Sequence, residues 1–437
     1  GVAQFPMFRA AGLRADGVTA NRELILSGVG FFLRLQIAVH SANEVAVARR
    51  RLSFWPPITL TQNPGRGVAA IGHWRIVRGV RRGARAVKAV DMEIGIDSFA
   101  ATIPDPVTGH MVAPAERIEA LLAEVETADR VGLDVFGIGE HHRKDFLDSA
   151  PTVLLAAAAA RTKRIRLASA VTVLSATDPV RLFQEFATID LISNGRAEIV
   201  AGRGSFGEAY PLFGFAMEDY DALFAEKLDL LLKLREAPSI TWRGQFRPPL
   251  NGQGVYPRPL QDKLPIWLGV GGTPQSFVRA GSLGLPLMIA IIGGGFDRFR
   301  PLVDLYREAG RRAGHPPEVL KVGIHAMGFV GDTDTQARDA FFPGWAHMFT
   351  EIGRERGWSP VTRGQFDAMC GPEGAFLIGS VKTVQEKILS ADRTLGGIAR
   401  VTFQMSSAML ETEAMQRSIT LLGTEVAPAI KARIGGA

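Results

Sequence analysis

The 437-residue chain predicts an α/β fold, and within that class a TIM-type (β/α)8 barrel with insertions. Three observations carry this. From Met92 onward, short apolar runs alternate with amphipathic stretches of helical period, the rhythm of βα units on a parallel sheet. Eight such runs fall within residues 92–437, which suits a closed barrel better than a doubly wound sheet. The composition, 46% hydrophobic and 22% charged, is that of a chain able to fill a sizeable core.

The elements follow in order. Glu93 to Asp97 reads as the first strand, and Ile118, Leu121, Leu122 and Val125 mark a helix over 115–131 that Gly132 ends. The second strand is Asp134 to Gly139, followed by a helix through the Ala-rich stretch 151–160. The third strand is Ile165 to Val173. Asp178 as N-cap with Pro179 at the first helical position opens the next helix, and Asn194-Gly195 closes it. Ala197 to Ala201 is the fourth strand, and Phe224, Leu228, Leu231 and Leu232 share one face of a helix at 219–236. The Gly- and Pro-rich stretch 239–256 suggests a hairpin. Pro265 to Val270, Leu287 to Ile291, Val322 to Val330 and Val401 to Met405 are strands five to eight, with a last helix near 409–434. The longest irregular stretch is Gly357 to Gly379, an insertion of the kind that covers active sites.

The formal net charge of +6 invites a nucleic-acid reading until the charge is located. Of the 50 Lys+Arg and 44 Asp+Glu, 14 and 4 fall in residues 1–91, leaving 36 and 40 in the remainder, which is therefore mildly acidic. Residues 1–91 are Arg-rich, follow neither the helical nor the strand period, and read as an extension outside the working fold, to which we assign no structure. Met92 stands directly before the first strand, a position at which translation could naturally begin. The longest apolar run of the extension, Leu24 to Leu33, is too short to span a bilayer. Neither nucleic acid nor a membrane is expected as a partner. The single cysteine, Cys370, excludes an intrachain disulfide and Cys-based zinc sites, and suits a cytoplasmic location.

In a barrel the chemistry sits where strands end. Gly271-Gly272-Thr273-Pro274-Gln275-Ser276 follows strand five, with Thr273 as N-cap and Pro274 as first helical residue. Glycines, a helix start and the Ser276 hydroxyl make a plausible phosphate cradle, although an ordinary capped loop has the same pattern. Gly202-Arg203-Gly204 follows strand four. Arg203 suits bidentate phosphate contact, or a structural ion pair with Glu198 or Glu208. Glu140-His141-His142 follows strand two. Adjacent side chains at a strand end diverge, so the two histidines do different jobs, and one beside a bound cofactor suits general acid–base work. No His-x-His pair offers metal ligation, and no metal is expected.

Taken in order, Glu140-His141-His142, Ala170 to Ser175, Asp178 to Arg181, Ala187 to Arg196, Gly202-Arg203-Gly204, and Gly271 to Ser276 running on to Arg279-Ala280-Gly281 and Gly284-Leu285-Pro286 carry a resemblance. From Met92 to the C-terminus the chain resembles the bacterial-luciferase-like flavin-dependent monooxygenases, within them the branch known only as probable oxidoreductases. The resemblance implies a barrel that binds reduced FMN, supplied by a separate flavin reductase, with O2 as co-substrate and a small organic substrate. It implies that Arg203, Gly271, Gly272, Thr273 and Ser276 hold the FMN phosphate. Ala170-Val171 would form a non-prolyl cis peptide behind the flavin ring. His141 would be the active-site histidine and His142 its less exposed neighbour. A homodimer is also implied.

Two departures stand out: Gly272 and Gln275 occupy the region where luciferase-like pockets often carry an acid, and Gly202 stands where luciferases have a reactive cysteine. Light emission is therefore not expected. A deazaflavin-dependent hydride transferase shares the same barrel, and a non-catalytic flavin-binding protein is the non-enzyme alternative. A glycosidase using Asp97 and Glu140 lacks the usual stacking aromatics. Substrate choice is expected to lie in the 357–379 insertion and the 99–113 loop, with Met111, Phe366 and Met369 lining an apolar pocket.

Overall fold

The computed structural model describes residues 92–102, 108–405 and 410–435. The Arg-rich stretch 1–91, and every reading made of it, lies outside the described residues.

In chain order, β1 (Glu93–Ser98), α1 (Pro114–Arg130), β2 (Val135–Ile138), α2 (Pro151–Arg161), β3 (Arg166–Ser169) and the two-residue β4 (Thr172–Val173) come first. Next are α3 (Pro179–Ser193), β5 (Ala197–Gly202), the short α4 (Ala209–Leu212), α5 (Tyr220–Glu236) and the antiparallel hairpin β6 (Ser239–Trp242) with β7 (Leu250–Gly254). Then come β8 (Ile266–Val270), α6 (Pro274–Ser282), β9 (Leu287–Ile291), α7 (Arg300–Arg312) and β10 (Val322–Gly331). The chain continues through α8 (Asp334–Glu355), α9 (Arg363–Cys370), β11 (Leu377–Ser380), α10 (Val381–Leu395) and β12 (Arg400–Gln404), and ends in α11 (Thr412–Leu421) and α12 (Ala427–Gly435), joined by a π-turn.

Eight of these strands pair in parallel as β1-β2-β3-β5-β8-β9-β10-β12, and β12 returns to β1 through Glu93↔Arg400 and Asp97↔Gln404. The sheet is a closed TIM-type barrel, as the alternation predicts. Local chemistry explains the boundaries. Asp178 accepts from the N–H groups of Val180 and Arg181 at 2.9 and 3.1 Å, and Asn194 closes α3 in the left-handed region at φ 58°.

Inward-facing residues fill the barrel in layers. At the base, Arg400 is 1% exposed, donates to Glu93 Oε2 at 2.6 and 2.8 Å, pairs with both oxygens of Glu198, and lies 4.2 Å over the Trp267 ring. Burial opposes the guanidinium charge, but the two carboxylates outweigh it and raise the pKa of Arg400. Above this layer Val135, Ala168, Val200, Trp267 and Met288 pack together. The opposite faces of the strands meet the helices through residues such as Ile94, Phe136, Leu167 and Ile199.

Two expectations are corrected. The third strand is not continuous over 165–173: it breaks at the cis Ala170–Val171 peptide into β3 and β4. The stretch 357–379 is not irregular either. Thr362 and Gln365 form a capping box that starts α9, and β11 pairs with Gly328–Gly331, the end of β10. The glycines of this stretch masked an ordinary helix and strand.

Candidate active site

The floor of the barrel mouth is made of strand ends without side chains. A Cβ on Gly137 would stand 2.1 Å from Asp97 Oδ1 and 2.8 Å from Ala170 Cβ. One on Gly202 would meet Val171 Cγ2 at 2.4 Å, and one on Gly269 would meet Val171 Cγ1 at 2.6 Å. Only glycine fits at these three positions, and the space so cleared holds the Ala170 and Val171 side chains. A cysteine at Gly202 would therefore collide with Val171.

Next to the floor, Arg203 and Ser276 come together. Arg203 Nη2 donates to Ser276 Oγ at 3.1 Å, although the two residues are 73 positions apart. The guanidinium lies 4.8 Å over the Tyr220 ring, and its Nη1 pairs with Asp221. The ion pair foreseen with Glu198 or Glu208 is not formed: Glu198 faces inward to Arg400, and Glu208 pairs with Arg143. Arg279, on the same helix as Ser276, is held below the usual guanidinium range by burial and by the nearby charge of Arg203, so two cations share this corner. Thr273 is the N-cap residue and Pro274 the first helical one, as expected, but the Thr273 hydroxyl caps nothing. No atom lies within 4 Å of where a Cβ on Gly271 or Gly272 would be. A fixed guanidinium, a hydroxyl, a helix N-terminus and two open glycines together fit a phosphate group.

His141 and His142 take different partners, although both line one small cavity with Glu140, Val173 and Phe206. His141 packs against Phe99 and Phe146, each with ring centroids 4.6 Å away, and against Phe206 at 5.6 Å. Its Nδ1 lies 2.8 Å from Asp148 Oδ2, and its backbone N–H donates to Asp148 Oδ1 at 3.1 Å. Burial raises the pKa of Asp148, against the opposing hydrogen bonds from His141. His142 lies 3.2 Å from Glu140 Oε1, and Glu140 Oε2 accepts the Val173 N–H at 2.8 Å. That pair ties the β2 end to β4.

Several residues escaped the sequence reading. His325 of β10 is 8% exposed, and its Nδ1 lies 2.6 Å from Asp97 Oδ2, which also accepts from the Thr402 hydroxyl. Its ring stacks on Phe99 at 5.9 Å. A lone histidine in an otherwise apolar buried strand was the available signal. Asp148 and Asp221 carried none. The apolar wall was also misplaced. Phe366 is core, packed with Trp345 and Phe376, and Met111 is exposed. Met348, Phe349 and Ile352 of α8 instead pack with Phe99 and Phe146 above His141.

Among the described residues, no three His, Cys, Asp or Glu side chains are grouped to hold a metal ion. No described helix is long and apolar enough to cross a membrane.

Comparison with known proteins agrees with this geometry. The family model for luciferase-like monooxygenases matches residues 92–396. Over 326 residues the chain is 25% identical to the 4-hydroxyprotoasukamycin monooxygenase of Streptomyces nodosus subsp. asukaensis, covering 71% of this chain and 86% of that one. Among solved structures it is similar to the oxygenating constituent of 3,6-diketocamphane monooxygenase from Pseudomonas putida in complex with FMN, at a TM-score of 0.64 and 22% identity, over 78% of this chain and 99% of that one. It is also similar to an F420-dependent secondary alcohol dehydrogenase, at a TM-score of 0.62 and 18% identity, over the same shares of the two chains. These two likenesses speak for the fold. The match across more than two-thirds of the sequence, in a closed parallel barrel, places this chain in the luciferase-like monooxygenase family.

Proposed function

We propose that the chain is a flavin-dependent monooxygenase that takes reduced FMN from a separate reductase and uses O2 to oxidise a small organic substrate. The observation that carries this reading is the Arg203–Ser276 contact beside the open Gly271-Gly272 turn, an anion cradle at the mouth of a barrel of this family. In this reading Arg203, Ser276, Gly271, Gly272 and Thr273 hold the phosphate, and Ala170 and Val171 back the ring. Reduced flavin, when bound, supplies the electrons that make O2 reactive.

The chain's own residues orient, shield and move protons. Asp148 fixes the Nδ1 side of His141, so Nε2 is the atom with which His141 takes or gives a proton in the mouth. His142 holds the strand end through Glu140. Phe99, Phe146, Phe206 and the α8 side chains exclude water. The same reading makes the protein a cytoplasmic homodimer whose residues 1–91 stand outside the working fold. A chain beginning at Met92 is then expected to fold and bind flavin, and its aggregation would count against that division.

The test is anaerobic titration of the full chain with reduced FMN, followed by admission of O2 under rapid-mixing absorbance. Tight binding with oxygen-dependent oxidation of an added substrate is the expected result. Failure to bind FMN in either redox state, with binding of a reduced deazaflavin, would replace the reading with a hydride-transfer enzyme. Binding with no reaction toward oxygen would leave a flavin carrier.

A further inference from the structure

His141 lies against three aromatic rings, and they are not held alike. The Leu147 N–H donates to the Ala100 carbonyl at 3.1 Å and Ala101 bridges to Phe146, which ties down the chain that carries Phe99 and Phe146. Phe206, edge-on to His141 at 5.6 Å, stands on the segment 204–208 between β5 and α4. Among the described residues, no backbone–backbone hydrogen bond involves Gly204, Ser205 or Phe206. Gly204 opens the segment at φ 76°, a backbone angle that glycine adopts freely. Side chains hold the segment instead. Arg143, from the loop after β2, pairs with Glu208 and donates to Glu355 Oε2 at 3.0 Å, at the end of α8. Arg356 donates to the Ser205 carbonyl at 2.9 Å. Both guanidiniums lie against the Phe206 ring, at 4.8 and 5.3 Å from its centroid. The cavity that His141 and His142 line with Gly204, Ser205 and Phe206 has about 10 Å³, room for at most a single water and for no organic molecule.

We propose that Phe206 is a gate over His141 and that the Arg143 clasp is its latch, holding the gate shut by charge. The latch is built to let go. Arg143 is 11% exposed, and its Nε and one oxygen of Glu208 are buried without a partner, so desolvation offsets part of what the ion pairs contribute. Glu208 and Glu355 are 38% and 53% exposed, so salt screens both attractions. When the clasp parts, Gly204 lets the segment swing and the His141 ring is uncovered. When it re-forms, Phe206 closes over the ring and shuts water out. Arg143 and Glu355 are thus positioning residues. They join the loop after β5 to the end of the helix whose Met348, Phe349 and Ile352 pack with Phe99 and Phe146. The inference goes beyond the monooxygenase reading and needs from it only that His141 is the reacting side chain.

Carbethoxylation of the full chain by diethylpyrocarbonate, read residue by residue by mass spectrometry at fixed pH, tests the gate, with the exposed His110 as internal reference. The His141 rate relative to His110 is expected to rise about two- to fivefold between about 0.02 M and about 0.5 M NaCl, the range over which screening removes exposed ion pairs. Arg143→Met and Glu355→Gln should label at the faster rate at both salt concentrations, with no salt response left. Phe206→Ala should do the same, because it removes the cover and not the latch. If urea unfolding shows that Arg143→Met does not fold, Glu355→Gln, at an exposed position, decides. A salt-independent His141 rate in the wild type, or clasp variants as protected as the wild type, would overturn the proposal. So would fast labelling in the clasp variants with none in Phe206→Ala, which would put the cover elsewhere. No step uses flavin, so a chain that gates His141 yet fails to bind FMN sinks the cofactor reading alone. A chain that binds FMN with His141 open at every salt concentration sinks only the gate.

Discussion

Replacing Arg203 by alanine separates the phosphate from the rest of a flavin. The guanidinium is 19% exposed and sits between Ser276 and Asp221. A charge-assisted hydrogen bond to an anion contributes about 1.5–3 kcal/mol. Part of that is offset, because Arg203 must loosen its pairing with Asp221, which is 73% exposed and so holds the pair by no more than about 1 kcal/mol. The net loss in Arg203→Ala is therefore about 0.5–3 kcal/mol, or roughly 2- to 150-fold in FMN affinity. Riboflavin has the same ring and no phosphate, and its affinity should stay as it is. Fluorescence-quenching titrations of both ligands against both proteins read the difference directly. Unchanged FMN affinity, or an equal fall for FMN and riboflavin, would refute the phosphate role.

His141→Ala should leave flavin affinity nearly intact while turnover falls by about 10²- to 10⁴-fold, and undiminished turnover would remove His141 from the chemistry. Arg400→Met strands Glu198 and Glu93 in the barrel base, so unfolding in urea should show a loss of about 3–5 kcal/mol, whereas a neutral outcome would mean that water reaches this layer. Lys387, buried beneath the carbonyls that end α9, has its amine pushed by burial down to about 8. The unfolded chain then binds the extra proton between about pH 8 and about pH 10.4, so the Lys387 contribution to stability grows as pH rises through that window. The stability of the wild type relative to Lys387→Met should accordingly increase from pH 7.5 to about pH 10, and a constant difference would show that the amine is solvated.

The barrel was legible because buried parallel strands are written as compact apolar runs, and Asp178-Pro179 and Asn194-Gly195 punctuate a helix by local chemistry alone. The helix start at Thr273-Pro274 was legible for a similar reason, since glycine and proline around a first helical turn have local meaning. What failed was non-local. Arg203 finds Asp221 and Ser276, not the nearer Glu198, because alternation along β5 turns Glu198 toward the barrel base. The His325–Asp97 pair joins residues 228 positions apart, on β10 and β1, and only the closed sheet brings them together. Phe366 looked like a pocket residue because the capping box and strand around it were hidden among glycines.

The glycine floor limits how this site can diversify. At Gly137, Gly202 and Gly269 even one added carbon would collide with Asp97, Ala170 or Val171, so these positions are closed to change in a way that the rest of the mouth is not. New substrate ranges must therefore arise from the rim: Phe99, Phe146 and Phe206 on the loops, and Met348, Phe349 and Ile352 on α8. α8 follows β10, whose final residues are locked to β11, so the rim is anchored as an extension of the barrel itself. A descendant of this chain can repaint its walls one side chain at a time while the glycine floor is inherited unaltered.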